Sequence, residues 1–132
     1  MYLLTAIINK SCLNDVLQGL FEQKIEGVTV SDVIGKGGLG FVEADGHIEL
    51  DEKVRLDIVL SSDRYKEKAK EAIRSNAQDL GNGSGKMWVT PVLEVERIRT
   101  GETNEAALSQ SSQSGRKPFP AHFYSAVDTP SS

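Results

Sequence analysis

A strand–helix–strand pattern occurs twice in the first part of this chain, and it limits the fold more than any other feature. Residues 2–8 are β-rich and apolar on both faces, as in a central strand, and residues 28–33 alternate as a strand. Residues 54–60 carry an apolar side chain at every second position, and residues 87–89 begin a fourth strand. Two such units predict an α+β, ferredoxin-like βαβ-βαβ split sandwich. Helices cover only one face of such a sheet, so we expect an oligomer that covers the other face.

Two helices are predicted between these strands. Ser11 is the expected cap of the first helix, and either Ser62 or Asp63 caps the second. The expected buried stripe of the first helix comprises Leu13, Val16, Leu17, Leu20 and Phe21. That of the second comprises Tyr65, Ala69, Ala72, Ile73 and Ala77.

The composition changes abruptly near Leu108. Residues 109–132 hold seven serines and three of the four prolines, which is typical of a flexible extension that follows one domain at residues 1–108. The aromatic residues Phe119, Phe123 and Tyr124 in this extension are either incidental or a short docking segment, and the usual looseness of chain ends favours the first interpretation.

Charge and composition exclude several classes of protein. The 19 acidic residues exceed the 15 basic residues, and this net charge of −4 argues against a nucleic-acid partner. No apolar run approaches the roughly 20 residues of a membrane span, and the first residues are interpreted as a strand rather than a signal peptide. Cys12 is the one cysteine, which excludes an internal disulfide and favours the reducing cytoplasm.

Two glycine-rich segments are candidates for anion binding. GKGGLG at residues 35–40 matches G-x-G-x-x-G, but no helical pattern follows it, so a dinucleotide-binding fold is rejected. We expect a mobile connection over residues 35–52, with a first turn that brings backbone close to an anion. GNGSGK at residues 81–86 lies between a helix and a strand, the reverse of a P-loop. Its glycines and Lys86 suit phosphate oxygens, and a plain flexible turn is an equally good interpretation.

A pair of arginines follows the fourth strand. Arg97 and Arg99 are two residues apart, so in an extended segment both side chains point to one face. Two parallel guanidinium groups are suited to a polyphosphate. The alternative is a pair of surface arginines that form ion pairs with Glu94 and Glu96.

Taken together, residues 1–108 resemble the PII family of signal-transduction proteins, the nitrogen regulatory PII-like proteins. The resemblance rests on LTAII at 4–8, GVTV at 27–30 with Gly35 and Gly37, GSGK at 83–86, RIRTGE at 97–102 and EAAL at 105–108. It implies a homotrimer whose sheets face the centre and whose three inter-subunit clefts bind adenine nucleotides (ADP, AMP or ATP). It also implies that the mobile loop regulates a partner protein and that the chain is not an enzyme.

The resemblance also implies the residues of the nucleotide site. Lys86, Arg97 and Arg99 would bind the phosphates, and Thr29 would contact the adenine. Gly83 and Gly85 would keep the loop at residues 81–86 close to the phosphates. The full set is Ile7, Thr29, Gly35, Lys36, Gly37, Ile58, Val59, Gly83, Gly85, Lys86, Arg97 and Arg99. No catalytic residue and no metal ligand is implied.

The loop departs from the common family pattern. From Gly38 to about Glu52 it is shorter, and it lacks the tyrosine that other members have modified by uridylylation. Leu39 stands where a glutamine helps to bind magnesium and 2-oxoglutarate, and a leucine cannot coordinate a metal. These departures resemble the short-loop PII-like proteins associated with carboxysomes and bicarbonate transport. Gly38, Gly40 and Lys53 form a candidate second-anion site for bicarbonate.

Two alternatives remain at this stage. The first is an ordinary nitrogen-regulatory PII protein that senses ATP or ADP and 2-oxoglutarate. The second is a small ferredoxin-fold phosphate hydrolase or phosphotransferase, which needs a base or nucleophile beside the phosphate loops. His47 lies in the expected mobile loop and His122 in the extension, so neither is expected to act as a base. The partner we expect is a transporter or a carboxysome-linked protein.

Overall fold

A computed structural model describes residues 1–36, 46, 48–78, 84–108 and 110. The strands are β1 (Tyr2–Asn9), β2 (Val28–Gly35), β3 (Asp51–Leu60) and β4 (Lys86–Pro91). The α-helices are α1 (Leu13–Glu22) and α2 (Asp63–Asn76), and short 3-10 helices lie at Lys10–Cys12 and Asn104–Ala107.

The four strands form one antiparallel sheet in the order β2-β3-β1-β4. β1 is hydrogen-bonded on both sides, so that Leu4 lies opposite Ile58 of β3 and Val89 of β4. This order and the two helices confirm the predicted ferredoxin-like α+β fold. The structure extends β2 to Gly35 and begins β3 at Asp51, so both ends of the connection predicted at residues 35–52 belong to strands.

The core lies between one face of the sheet and the two helices. The strands contribute alternate residues to it, and the buried apolar strand residues are Leu4, Ala6, Ile8, Val54, Leu56, Ile58 and Leu60. On α2, the predicted residues Ala69, Ala72, Ile73 and Ala77 are buried and Tyr65 packs against the core. On α1, Val16 and Leu20 are buried, but Phe21 is 63% exposed and its prediction as a core residue was wrong. Successive helical residues are turned by about 100°, which carries Phe21 away from the direction of Leu20.

The two helix starts differ. Ser62 caps α2 as predicted, because its hydroxyl accepts a hydrogen bond from the Tyr65 N–H at 3.3 Å, and Asp63 is the first helical residue. The prediction that Ser11 caps α1 was wrong. Ser11 lies inside the 3-10 helix that leads into α1, and Cys12 occupies the cap position without a side-chain cap bond. The Cys12 thiol instead donates to the Ala77 carbonyl at 3.8 Å and so links the two helices.

Neither of the two described α-helices lies on the opposite face of the sheet. One row across it contains Thr29, Asp57, Thr5 and Trp88, contributed by β2, β3, β1 and β4 respectively. Trp88 is 40% exposed at the β4 edge. A sheet with one covered and one open face was predicted from the sequence, and the described residues confirm it.

Candidate functional site

The turn immediately before β4 packs its backbone against β1, the central strand. Gly85 has a φ of +102°, and a Cβ atom built on it would lie 1.8 Å from the Ile7 carbonyl oxygen. Lys86 pairs with Ile7 in the ladder between β1 and β4. Only glycine fits at residue 85, because this φ is strained for other residues and no side chain can share the space of a backbone oxygen. Ile7, Gly85 and Lys86 are therefore held together at one end of the sheet.

A cleft of about 170 Å³ opens beside this turn. Its lining comes from the start of β4, the end of α2 and the end of β1: Ile8, Ile73, Arg74, Ala77, Gln78, Ser84, Gly85, Lys86 and Met87. Arg74 is also in an ion pair with Glu71 at 2.5 Å on the α2 surface. The predicted residue Gly83 lies outside the described residues.

The start of the β2–β3 connection lies at the same end of the sheet. Gly35 is the last residue of β2, and Lys36 follows it. Lys53 lies opposite Val33 and Asn9, and its Nζ donates a hydrogen bond to Asn9 Oδ1. The predicted residues Gly37, Gly38 and Gly40 lie outside the described residues.

A second cleft, of about 510 Å³, lies beside Lys53. Its lining residues are Lys10, Asp32, Val33, Ile34, Glu52 and Lys53. Lys10 and Asp32 form an exposed ion pair at 3.3 Å across it. Two lysines and two carboxylates thus share this cleft, so its charge is balanced.

A polar cluster lies in the middle of the open sheet face. Asp57 Oδ1 accepts from the Thr5 hydroxyl at 2.8 Å, and Asp57 Oδ2 accepts from Arg55 Nε at 3.0 Å. Burial raises the pKa of Asp57, but hydrogen bonds from Arg55 and Thr5 and the charge of Arg55 together lower this pKa below its usual value. Asp57 is therefore ionised at neutral pH, directly opposite Thr29. Sequence reasoning missed Asp57. Because Asp57 lies between the buried residues Leu56 and Ile58 of β3, the alternation of side chains along the strand already placed it on the open face.

Arg97 and Arg99 lie in a short hairpin after β4. The Arg97 N–H donates to the Glu102 carbonyl, and the Gly101 N–H donates to the Arg97 carbonyl, both at 2.8 Å. The prediction of one extended segment with both arginines on the same face was wrong, because Arg99 lies in the turn at residues 98–100 while Arg97 lies in a paired arm. Gly101, with a φ of +72°, allows the chain to reverse there. Arg97 Nη2 donates to the Ala107 carbonyl at 3.1 Å.

Comparison with known proteins identifies the family. A family model described as Nitrogen regulatory protein P-II matches residues 1–102. Nitrogen regulatory protein P-II 1 of Methanothermobacter thermautotrophicus is 43% identical over 110 residues, which cover 80% of this chain and 95% of that protein. Nitrogen regulatory protein GlnK of Escherichia coli is 37% identical over 119 residues, which cover 82% of this chain and all of GlnK. The chain belongs to the P-II family.

Membership of the P-II family decides the class of function. P-II proteins are signalling regulators and not enzymes, so the phosphate hydrolase or phosphotransferase alternative is set aside. Within the described ranges, no helix is long and apolar enough to cross a membrane. Over those same residues, no group of three or more His, Cys, Asp or Glu side chains is placed to hold a metal ion.

In this P-II chain, the described candidate residues other than Arg99, which lies in the turn at residues 98–100, fall into two groups along the sheet. The first group, called here the Lys86 end, consists of Ile7, Gly35, Lys36, Lys53, Gly85 and Lys86. The second group, called the Arg97 end, consists of Thr29, Ile58, Val59 and Arg97. Arg97 belongs there because its Nη2 donates to the Ala107 carbonyl, and Gln110, three residues further along the chain, donates to the Val59 carbonyl.

We predict that Gly85→Ala destabilises the fold. A methyl group would meet the Ile7 carbonyl at 1.8 Å, and a φ of +102° strains any non-glycine residue, so something at the start of β4 must shift. The expected loss in the free energy of unfolding is more than about 2 kcal/mol, measured by urea denaturation at fixed protein concentration. Gly27→Ala is the matched control, because no atom lies within 4 Å of its added Cβ. Equal stability of the two variants would contradict this account of Gly85.

Proposed function

We propose that this P-II protein is an adenine-nucleotide-responsive regulator whose nucleotide site is built by two copies of the chain. The observation that carries the proposal is the separation of the candidate residues into the Lys86 end and the Arg97 end. Thr29 lies in edge strand β2 and Lys86 in edge strand β4. Three strand spacings separate these edges, which is about 14 Å before any offset along the strands. One chain therefore presents two half-sites, and a neighbouring copy supplies the complementary half.

The chemistry of the two half-sites suits a nucleotide. Lys86 and Arg97 carry positive charge in a chain with a net charge of −4, and both cation types bind phosphate oxygens. Gly85 lets the turn before β4 lie against the Ile7 carbonyl, and this places Lys86 beside Ile7. At the Arg97 end, Thr29 and the β3 backbone at Val59 offer hydrogen-bonding groups for a base.

The open sheet face supports assembly into a homotrimer. Leu3, Ile7, Val59 and Trp88 are apolar residues on this face, and they surround the Asp57 cluster. Burying such a face against other copies removes apolar surface from water. A head-to-tail arrangement closes into a ring when its rotation allows, and it brings the Lys86 end of one copy to the Arg97 end of the next.

The loop between β2 and β3 is the proposed surface for a partner protein. It begins at Gly35 and Lys36, at the Lys86 end, so a nucleotide bound there contacts its first residues. A nucleotide with different affinities for two loop conformations shifts their populations, and this is the proposed signal. The proposed partner is a transporter or a carboxysome-linked protein.

Bicarbonate is the proposed second effector, in place of 2-oxoglutarate. Leu39 offers no oxygen or nitrogen to a metal ion, which disfavours magnesium-assisted binding of 2-oxoglutarate. Lys53, at the Lys86 end, supplies a cation for a small anion, together with backbone amides proposed at Gly38 and Gly40. The relatives carry the name nitrogen regulatory protein, and this favours the alternative of 2-oxoglutarate.

The phosphate role of Arg97 is tested by calorimetric titration of ADP. Loss of one hydrogen bond between charged groups costs about 1.5–3 kcal/mol, so Arg97→Ala should weaken ADP binding by about 10- to 150-fold. Arg97→Lys keeps the charge and should retain part of the affinity. Arg64→Ala, on the exposed surface of α2, is the matched control and should bind ADP like the unchanged protein. Unchanged affinity in Arg97→Ala would contradict the proposed site.

The second effector is tested by repeating the ADP titration with bicarbonate, and separately with 2-oxoglutarate and magnesium. We expect bicarbonate to tighten ADP binding, and linkage then requires ADP to tighten bicarbonate binding by the same factor. Lys53→Ala should abolish this coupling because it removes the proposed cation. A response to 2-oxoglutarate alone would support the nitrogen-sensing alternative and overturn the bicarbonate proposal.

A further inference from the structure

Gln110 lies buried against β3, although the sequence predicted a flexible extension from residue 109 onward. Its relative exposure is 2%. Gln110 Nε2 donates to the Val59 carbonyl at 2.7 Å, and Gln110 Oε1 accepts from the Ser61 N–H at 3.0 Å. The Ser61 hydroxyl also donates to the backbone carbonyl of Gln110. The side-chain amide of Gln110 is thus bonded through its donor to β3 and through its acceptor to Ser61, the first residue after β3.

These contacts occupy the end of β3 and the residue after it, a stretch that β2 does not reach. The first pair between the two strands is Val28 with Ile58, so Val59 and Ser61 lie beyond the start of β2. Gln110 satisfies their backbone groups much as another strand would. The same stretch includes Val59, where the proposed function places the adenine base.

The Gln110 side chain has the hydrogen-bonding pattern of an adenine edge. Its amide nitrogen donates and its adjacent oxygen accepts. An adenine presents an amino donor beside a ring-nitrogen acceptor in the same order. A carbonyl at Val59 and an N–H at Ser61 therefore suit either group, but they cannot bind both at once.

The chain just before Gln110 makes a second contact, with Arg97, the residue proposed to bind phosphate. The Ala107 carbonyl accepts from Arg97 Nη2 at 3.1 Å, so it takes one guanidinium donor that a phosphate would otherwise use. Ala107 is 8% exposed and is the last residue of the second 3-10 helix. We propose that Ala107 and Gln110 form an internal latch that competes with the nucleotide for Arg97 and Val59. This inference rests on the proposed function, because it takes the Arg97 end as half of the nucleotide site.

The latch makes nucleotide affinity depend on the fraction of chains in which it is open. If the latch is closed in about 90% of molecules, the apparent affinity for ADP is about tenfold weaker than that of the open state. Any partner that moves Ala107 and Gln110 away from Arg97 and Val59 then tightens nucleotide binding, although that partner does not contact the nucleotide. Ala107 and Gln110 thereby act as a regulatory element.

The test compares ADP binding by the full chain with that of Gln110→Ala. Loss of the competing amide should tighten ADP binding, by about tenfold if the latch is closed in about 90% of molecules. Gln18→Ala, the same chemical change on the exposed face of α1, is the matched control and should leave ADP affinity unchanged. Ser61→Ala removes the hydroxyl bond to Gln110 but keeps the N–H of residue 61, and it should give a smaller gain in affinity.

Hydrogen exchange of the Ser61 amide gives a readout that does not depend on the nucleotide. In the nucleotide-free protein, this exchange should be faster in Gln110→Ala than in the unchanged chain or in Gln18→Ala. Unchanged exchange would show that the contact does not form in solution and would overturn the latch. If Gln110→Ala shows faster exchange but unchanged or weaker ADP binding, Gln110 has only a structural role. That outcome also overturns the latch proposal.

The same experiment separates failure of the latch from failure of the proposed function. ADP binding of equal strength by the unchanged chain and by Gln110→Ala contradicts the latch and leaves the proposed function standing. If neither chain binds ADP, the proposed function fails and the latch fails with it.

Discussion

The pairing of β1 with β3 on one side and β4 on the other determines which end of the sheet Ile7, Lys86 and Val59 occupy. Because β1 is central and antiparallel to both neighbours, Ile7 and Lys86 are held at one end of the sheet, while Val59 and the segment after β4 are held at the other. Gly85 secures this arrangement, since the approach of its backbone to the Ile7 carbonyl leaves no room for a side chain. The proposed nucleotide site uses both ends and therefore two copies of the chain, and the open sheet face offers a surface on which copies can meet.

The sequence was a good guide where a residue's position follows from local periodicity. The alternation in β3 and the spacing on α2 identified core residues correctly, and Ser62 was a recognisable cap. Local patterns failed where a tertiary contact or a turn decides the conformation. Ser11 lies in a 3-10 helix, and Arg99 lies in a turn that Gly101 allows rather than in an extended strand.

Asp57 and Gln110 mark the limit of sequence reasoning about the site. The partners of Asp57 include Thr5, which is 52 residues away, and those of Gln110 include Ser61, which is 49 residues away. No local pattern links such residues, and the serine-rich composition around Gln110 predicted only a loose extension. The Asp57 contact arises from the register of β1 with β3, and the Gln110 contact arises where the chain after the second 3-10 helix returns to the end of β3.

The central claim is that two copies of the chain build each nucleotide site, and complementation between two defective variants tests it most directly. Lys86→Ala and Arg97→Ala, each prepared alone, should bind ADP weakly. When the two variants are co-expressed so that mixed oligomers form, an intact Lys86 end can meet an intact Arg97 end. With random mixing in a head-to-tail ring, about a quarter of the sites should regain the affinity of the unchanged protein. If each site were built within one chain, mixing would restore none, and that result would contradict the account.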